Sequence, residues 1–222
     1  MSNIELPRVP DDLLGVAARS FLNDLAALLA QTRATLLDGT SIALEQGLWR
    51  GMATIRHSCE RGGKAVLIGN GGSAAIASHL ATDMWKNGKL EAVTFNDPSL
   101  LTCLSNDCGY EDVFAIALDR FARQVDTVVA ISSSGRSPNI LNGVEAARRI
   151  GCQVVTFSGF DEGNPLRTLG DVNLYLSSHT YGIVEAGHLA LLHAMLDAHM
   201  GYPLLGSDHY RQTATPSGLD TE

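Results

Sequence analysis

Two loops and two helical stretches of this 222-residue chain hold the residue types that can do chemistry. The first loop is Gly69-Asn70-Gly71-Gly72-Ser73, and it runs straight into Ala74-Ala75-Ile76. Its three glycines let the backbone turn sharply and approach a ligand closely. With Ser73 as the expected N-cap, the free N–H groups and the positive end of the helix dipole suit an oxyanion. The second loop, Ser132-Ser133-Ser134-Gly135-Arg136-Ser137, leads into Pro138, a residue suited to the first helical position. Its four serines place neutral hydroxyl donors around a second helix N-terminus. A phosphorylated small molecule lying across two strand ends satisfies both loops. The first loop alone also matches G-x-G-x-x-A, with Asp97 in the place of a ribose-binding acid. A dinucleotide site and a tight turn without a ligand therefore stand as alternatives, although neither needs the second loop.

The helical stretches add titratable groups. His79 and Asp83 are four residues apart after the glycine loop, which puts them on one helix face. Such pairs are commonly surface ion pairs. Here Ala77, Leu80, Ala81 and Met84 flank them and mark a mostly buried segment, where a His–Asp pair near a ligand mouth is less ordinary. The last helical stretch carries Glu185, His188, His193 and His199. His193 follows Glu185 by slightly more than two turns and shares roughly its face. Leu189, Leu191 and Leu192 mark this helix as buried too, and packing is the more frequent role for any single histidine there.

The elements that must position these groups follow from the apolar pattern. Residues 11–38 show helical spacing through Leu14, Ala17, Phe21, Leu25, Leu28 and Leu29, and Gly39-Thr40 breaks it. A second helix is expected over about 41–61, ended by Gly62-Gly63. Short aliphatic runs then alternate with helical stretches. The runs are Ala65–Ile68, Ala92–Phe95, Thr127–Ile131, Gln153–Phe157 and Val172–Leu176, and the helices are near 74–87, 99–105, 111–123, 137–150 and 183–200. That alternation predicts an α/β fold, a parallel sheet covered on both faces, with ligands bound beyond the carboxyl ends of the strands.

Sixteen Lys and Arg against 24 Asp and Glu give a formal charge of −8, which argues against nucleic acid or an anionic membrane as a partner. The same balance weighs against anionic substrates, but backbone N–H groups and serine hydroxyls do not enter a charge count. Lys86 and Arg136 are expected to add local positive charge. No apolar stretch is expected to reach the length of a membrane helix, and the N-terminus lacks the apolar core of a signal peptide. The four cysteines form no C-x-x-C pair, so a reduced, cytoplasmic protein is expected.

The two loops together resemble those of the sugar isomerase (SIS) domain, and more narrowly those of its phosphoheptose isomerase branch. That branch combines a GNGGS loop, a helix with a histidine, an N-D-x-G-[YF] segment and an I-S-x-S-G-x-S loop. The third element here is Asn106-Asp107-Cys108-Gly109-Tyr110, and the resemblance spans roughly residues 11–200. It implies a three-layer αβα sandwich of the flavodoxin-like kind, with a five-stranded parallel sheet behind an N-terminal helical hairpin. Residues 1–62 would serve oligomerisation, residues 63–200 would bind the phosphosugar, and residues 201–222 would form a tail.

The implied activity is aldose–ketose isomerisation of a sugar phosphate such as sedoheptulose 7-phosphate. It runs through an enediol and serves heptose and surface-polysaccharide precursor synthesis. Asn70, Gly71, Gly72, Ser73, Asp107, Ser132, Ser133, Ser134 and Ser137 would hold the substrate. The family's zinc-binding His, Glu, Gln and His fall on His79, Asp83, Glu185 and His193, with Asp83 and His193 as the proton-transfer pair. The implied assembly is a homodimer or homotetramer with sites at subunit interfaces. Gly182 stands where the family has an acid, and Ser177–Tyr181 and Ala74 also depart from its pattern, all where sugar hydroxyls would be read. Some relatives of the branch instead act as non-catalytic scaffolds that bind a replication initiator, which is the alternative function.

Overall fold

A computed structural model of the chain describes residues 10–202, and it departs from the sequence pattern first near the N-terminus. Helix α1, Asp11–Ala30, stops well short of residue 38. Strands β1, Arg33–Leu36, and β2, Ser41–Ile42, follow as an antiparallel hairpin, and only then does α2, Leu44–Glu60, begin. The expected helical hairpin is thus interrupted by two strands.

Beyond α2 the expected alternation holds. Strand β3 is Ala65–Gly69, α3 Gly72–Lys86, β4 Ala92–Thr94, α4 Pro98–Asp107 and α5 Val113–Phe121. Strand β5 is Thr127–Ser132, α6 Pro138–Ile150, β6 Gln153–Ser158, β7 Val172–Tyr175 and α7 Tyr181–His199. The strands lie in the order β2-β1-β7-β6-β5-β3-β4, a sheet of seven rather than five. The five expected strands are all parallel, whereas β1 joins β7 antiparallel, from Arg33 opposite Tyr175 to Leu36 opposite Val172.

The hairpin has a physical reason. Without it, β7 would expose a row of unpaired backbone groups along a strand buried on both faces. Ala34 and Thr35 are buried there, and α2 crosses so closely that a Cβ at Gly47 would overlap Ala34. Leu36 and Leu37 also fit a helical period, so the local pattern ran on through a segment that tertiary pairing claimed.

Alternation along the strands builds the two cores. Leu67, Val129, Ile131, Val155 and Phe157 face α2, α3 and α7, where they meet Ile55, Leu80, Met84 and Leu192. Val66, Ile68, Val128, Ala130 and Val154 face the other way, onto Phe114, Leu118, Ile140 and Val144 of α5 and α6. Each fully buried Val, Leu, Ile, Met or Phe side chain among these contributes roughly 1.5–3 kcal/mol through removal from water. Helix α1 contributes no buried residue and leaves Leu13, Leu14, Val16 and Leu22 exposed. Contrary to expectation, α1 is long and apolar enough to cross a membrane, although Arg19 and Asp24 interrupt it and it packs on α7. The tail expected over 201–222 lies almost wholly outside the described residues.

His188 of α7 is entirely buried, its Nε2 lies 3.1 Å from the Ser158 carbonyl oxygen, and burial pushes its pKa down to about 4. The folded chain therefore keeps this imidazole neutral, with Nε2–H donating. Below about pH 6.5 the unfolded chain takes up a proton that the folded chain refuses until about pH 4. Stability contributed by this group is complete above pH 6.5 and falls by roughly 3 kcal/mol on acidification to pH 4. Denaturant unfolding at pH 7.5 and 4.5 should show this loss, and His188→Phe should shrink it. An unchanged difference in the variant would exclude His188 as its source.

Candidate functional site

The chain leaves β3 toward β4 on one side and returns to β5 on the other, so the strand order reverses between β3 and β5. At that reversal the connections diverge and open a crevice beyond the carboxyl ends of both strands. The two loops singled out by sequence lie there. They line a pocket of about 200 Å³ with Asn70, Gly71, Gly72, Ser73, Ser132, Ser133, Ser134 and Ser137, joined by Ile131, Tyr181 and Glu185. Nine expected substrate-binding residues thus reduce to eight in the pocket; Asp107 is exposed at the end of α4, accepting from Asn106 Nδ2 at 2.8 Å.

Local geometry explains the glycines. Gly71 takes φ +53° and is the N-cap of α3, a backbone state that serine would resist. Ser73 therefore sits inside the first turn, not at the cap as expected, with its N–H on the Asn70 carbonyl at 2.9 Å. A Cβ at Gly69 would lie 2.6 Å from the Ser73 carbonyl oxygen, so strand and helix can meet this tightly only through glycine. On the other loop Pro138 opens α6 as expected, behind Ser137 as N-cap. Ser73, Ser132 and Ser133 are buried, and the Ser133 Oγ has no hydrogen-bond partner among the described residues. A buried hydroxyl that lines a pocket and has no partner is a candidate ligand contact.

The loops are tied together by a residue the sequence reading missed. Asn70 Nδ2 donates to Asn139 Oδ1 and Asn139 Nδ2 donates to Asn70 Oδ1, both at 2.8 Å. Tyr110 adds its hydroxyl to Asn70 Oδ1 at 2.9 Å. Asn70, expected to touch sugar hydroxyls, spends its amide on this clamp. The available signal was an asparagine in the first turn of a helix whose neighbours Ile140 and Val144 are core residues.

Two other expectations change. Arg136 Nε points to Asp161 at 3.6 Å on the rim, and Lys86 closes α3 about 21 Å from its start. The pocket's donors are therefore neutral ones. Asp97, the candidate ribose acid, accepts from the N–H groups of Ser99 and Leu100 at 2.9 and 3.0 Å as the N-cap of α4.

Farther along the contact between α3 and α7 lies the titratable cluster. His79 Nε2 is 3.2 Å from His193 Nε2 and 3.4 Å from Asp83 Oδ2, and one ligand atom of each residue falls within 4.8 Å of the others. Asn87 Nδ2 holds the other Asp83 oxygen at 3.3 Å. The His79 side chain is half-exposed and that of Asp83 partly buried. Two imidazole nitrogens and a carboxylate at these distances fit a divalent ion of the zinc type with a coordination position left open. Glu185, the expected fourth member, is not in the cluster; its carboxylate lies against Gly72 in the pocket, where a Cβ would overlap it.

Residues 21–159 match the family model of the SIS domain, well over half of the chain. The chain belongs to the SIS domain family. Among curated SIS domain proteins, phosphoheptose isomerase of Pelobacter propionicus is 35% identical over 151 residues, 65% of this chain and 79% of that protein. The phosphoheptose isomerase of Helicobacter pylori strain HPAG1 is 35% identical over 147 residues, 64% of this chain and 76% of that one. The solved phosphoheptose isomerase GmhA from Neisseria gonorrhoeae superposes with a TM-score of 0.73 at 28% identity, covering 83% of this chain and 98% of that one.

Gly69→Ala should test the loop geometry of this SIS domain. The added methyl meets backbone, which no rotamer relieves, and overpacking of this kind costs about 1–3 kcal/mol. The expected result is a melting temperature lower by several degrees and loss of the stabilisation that added inorganic phosphate gives the wild type. A variant that phosphate still stabilises to the wild-type extent would overturn the role given to this turn.

Proposed function

We propose that this SIS domain protein is an aldose–ketose isomerase of sugar phosphates, with sedoheptulose 7-phosphate as the substrate its relatives' name points to. The observation that carries the reading is the placement of the anion pocket and the His79–Asp83–His193 cluster on one helix pair. His79 follows Gly72 by about 10 Å along α3, a span that a phosphorylated sugar chain bridges. Its phosphate lies in the glycine and serine loops, on two helix N-termini and the Ser133 hydroxyl. Its carbonyl end lies at the cluster.

There Asp83 and His193 move the proton. One removes it from the carbon beside the carbonyl while the other protonates the carbonyl oxygen, giving an enediol. The reverse pair of transfers places a proton on the former carbonyl carbon and leaves the new carbonyl on its neighbour. Asn87 fixes the Asp83 carboxylate for this task. His79, Asp83 and His193 would hold a zinc ion, which would supply Lewis acidity toward the substrate's carbonyl oxygen.

The half-exposed His79 and the open apolar face of α1 support a site completed by a second copy of the chain, in a homodimer or homotetramer. Four free thiols and a phosphosugar substrate support a cytoplasmic location. Such an enzyme serves heptose synthesis for surface polysaccharides.

Asp83→Asn and His193→Ala should each lower kcat by about 10²–10⁴, the range expected for removing a positioned acid–base group. Folding and phosphosugar binding should persist in both. Wild-type turnover in either variant would remove that residue from the mechanism. A thermal-shift panel of five- to seven-carbon sugar phosphates, with and without zinc, tests the substrate class, because a ligand that binds only the folded state raises its melting temperature. No shift with any member would refute the phosphosugar reading.

A further inference from the structure

A second cleft, of about 660 Å³, opens at the other end of the sheet. Thr127, Gln153 and Val172, the first residues of β5, β6 and β7, form part of its wall. Ser132, the last residue of β5, lines the pocket of the glycine and serine loops instead. The two sites therefore lie at opposite ends of one strand, about 17 Å apart. Helix α2 supplies the facing wall. Arg50, Thr54, His57 and Arg61 recur at three- and four-residue spacing, so one face of the helix and its C-cap looks into the cleft. Trp49 stands at the rim and is 65% exposed.

The electrostatics of this wall run against those of the chain. The formal charge is −8, yet three of the 16 basic residues, Arg50, Arg56 and Arg61, line the cleft. Asp171 is the one acid in the lining, and its carboxylate is already engaged. It accepts from Arg148 Nη1 at 3.0 and 2.9 Å and from the Val154 N–H at 2.7 Å. Glu60 answers Arg56 at 3.5 Å. Arg50 and Arg61 have no carboxylate partner among the described residues, and the Gln153 side-chain amide makes no hydrogen bond among them. Arg61 closes α2, where a cation suits the helix dipole. Arg50 lies well inside the helix and has no such reason to be there.

Each group specifies part of a ligand. Guanidinium forks bind phosphate through paired, charge-assisted hydrogen bonds. An exposed indole offers a flat face on which a base stacks. A carboxamide presents a donor beside an acceptor, as the edge of a purine does. Trp49 and His57 are about 12 Å apart along α2, and Arg61 is one turn farther. An aromatic group at one end and cations along the wall suit a ligand with a ring at one end and phosphates beyond it. The volume is that of a small-molecule site, and an acidic chain repels a long polyanion. We propose that this cleft binds a single purine nucleoside diphosphate, with its base on Trp49 beside Gln153 and its phosphates among Arg50, His57 and Arg61. The site is separate from the pocket of the glycine and serine loops and does not depend on what that pocket binds.

Calorimetry on the full chain with ADP, pyrophosphate and adenosine tests this. ADP should bind about tenfold or more tightly than either fragment, because only ADP engages both ends. The double variant Arg50→Gln, Arg61→Gln should weaken ADP by about tenfold or more. Trp49→Leu should weaken ADP and leave pyrophosphate binding unchanged. All these side chains are exposed, so unfolding curves should match the wild type. Trp49 and Trp85 are the two tryptophans of the chain, so the emission of Trp85→Phe reports Trp49 alone, and ADP should quench it. Absence of ADP binding, or an ADP affinity unchanged in the double variant, would overturn the proposal. So would loss of ADP binding in Ser133→Ala, which would place the nucleotide in the other pocket. Pyrophosphate that binds as tightly as ADP would reduce the cleft to an anion site and overturn the nucleotide assignment.

Discussion

The reciprocal amide pair between Asn70 and Asn139 is the contact on which the site depends. The fold delivers two helix N-termini to the reversal between β3 and β5, but each arrives on a loop of small residues with little side-chain packing of its own. Loops of that kind hold a fixed separation only if something spans them. Two hydrogen bonds within one planar pair do so, and the Tyr110 hydroxyl closes the third side. The pair also links two otherwise separate sequence motifs, because Tyr110 belongs to the Asn106–Tyr110 segment and Asn70 to the glycine loop.

The charge of the molecule takes on a different meaning in this light. A chain of formal charge −8 holds an anion pocket whose lining contains no Lys or Arg. Arg136 is engaged by Asp161, and the Glu185 carboxylate faces inward. The donors the pocket offers are oriented dipoles: the amino ends of α3 and α6, and serine hydroxyls, among them the unpartnered Ser133 Oγ. Such donors gain strength where water is excluded and do not attract polyanions at long range. An acidic exterior and a neutral-donor interior together favour a small phosphorylated molecule over nucleic acid.

The contact between α3 and α7 supplies the second half of the chemistry. It carries the pocket at its amino end and the His79–Asp83–His193 cluster two turns farther on. Both are carried by helices fixed in the core through Leu80, Met84, Leu192 and Met195. Rigid elements hold such a distance better than loops can, and proton transfer demands it.

The sequence by itself determined what depends on neighbours in the chain. The five parallel strands were legible because each is a short aliphatic run between turn residues, and the two loops that line the pocket because their glycines and serines stand at strand-to-helix junctions. The His79–Asp83 pairing followed from helical spacing alone. Only the tertiary structure decided what depends on distant partners. Residues 33–36 form a strand because the β7 edge must be paired, which a helical period through Leu36 and Leu37 could not reveal. Asn139 matters because Asn70 lies opposite it, 69 residues away in sequence. Glu185 lies in the pocket, apart from His79, Asp83 and His193, because the side chain missing at Gly72 makes room for it. Local preference is written along the chain, whereas a side chain's partner is set by which surfaces the fold brings together.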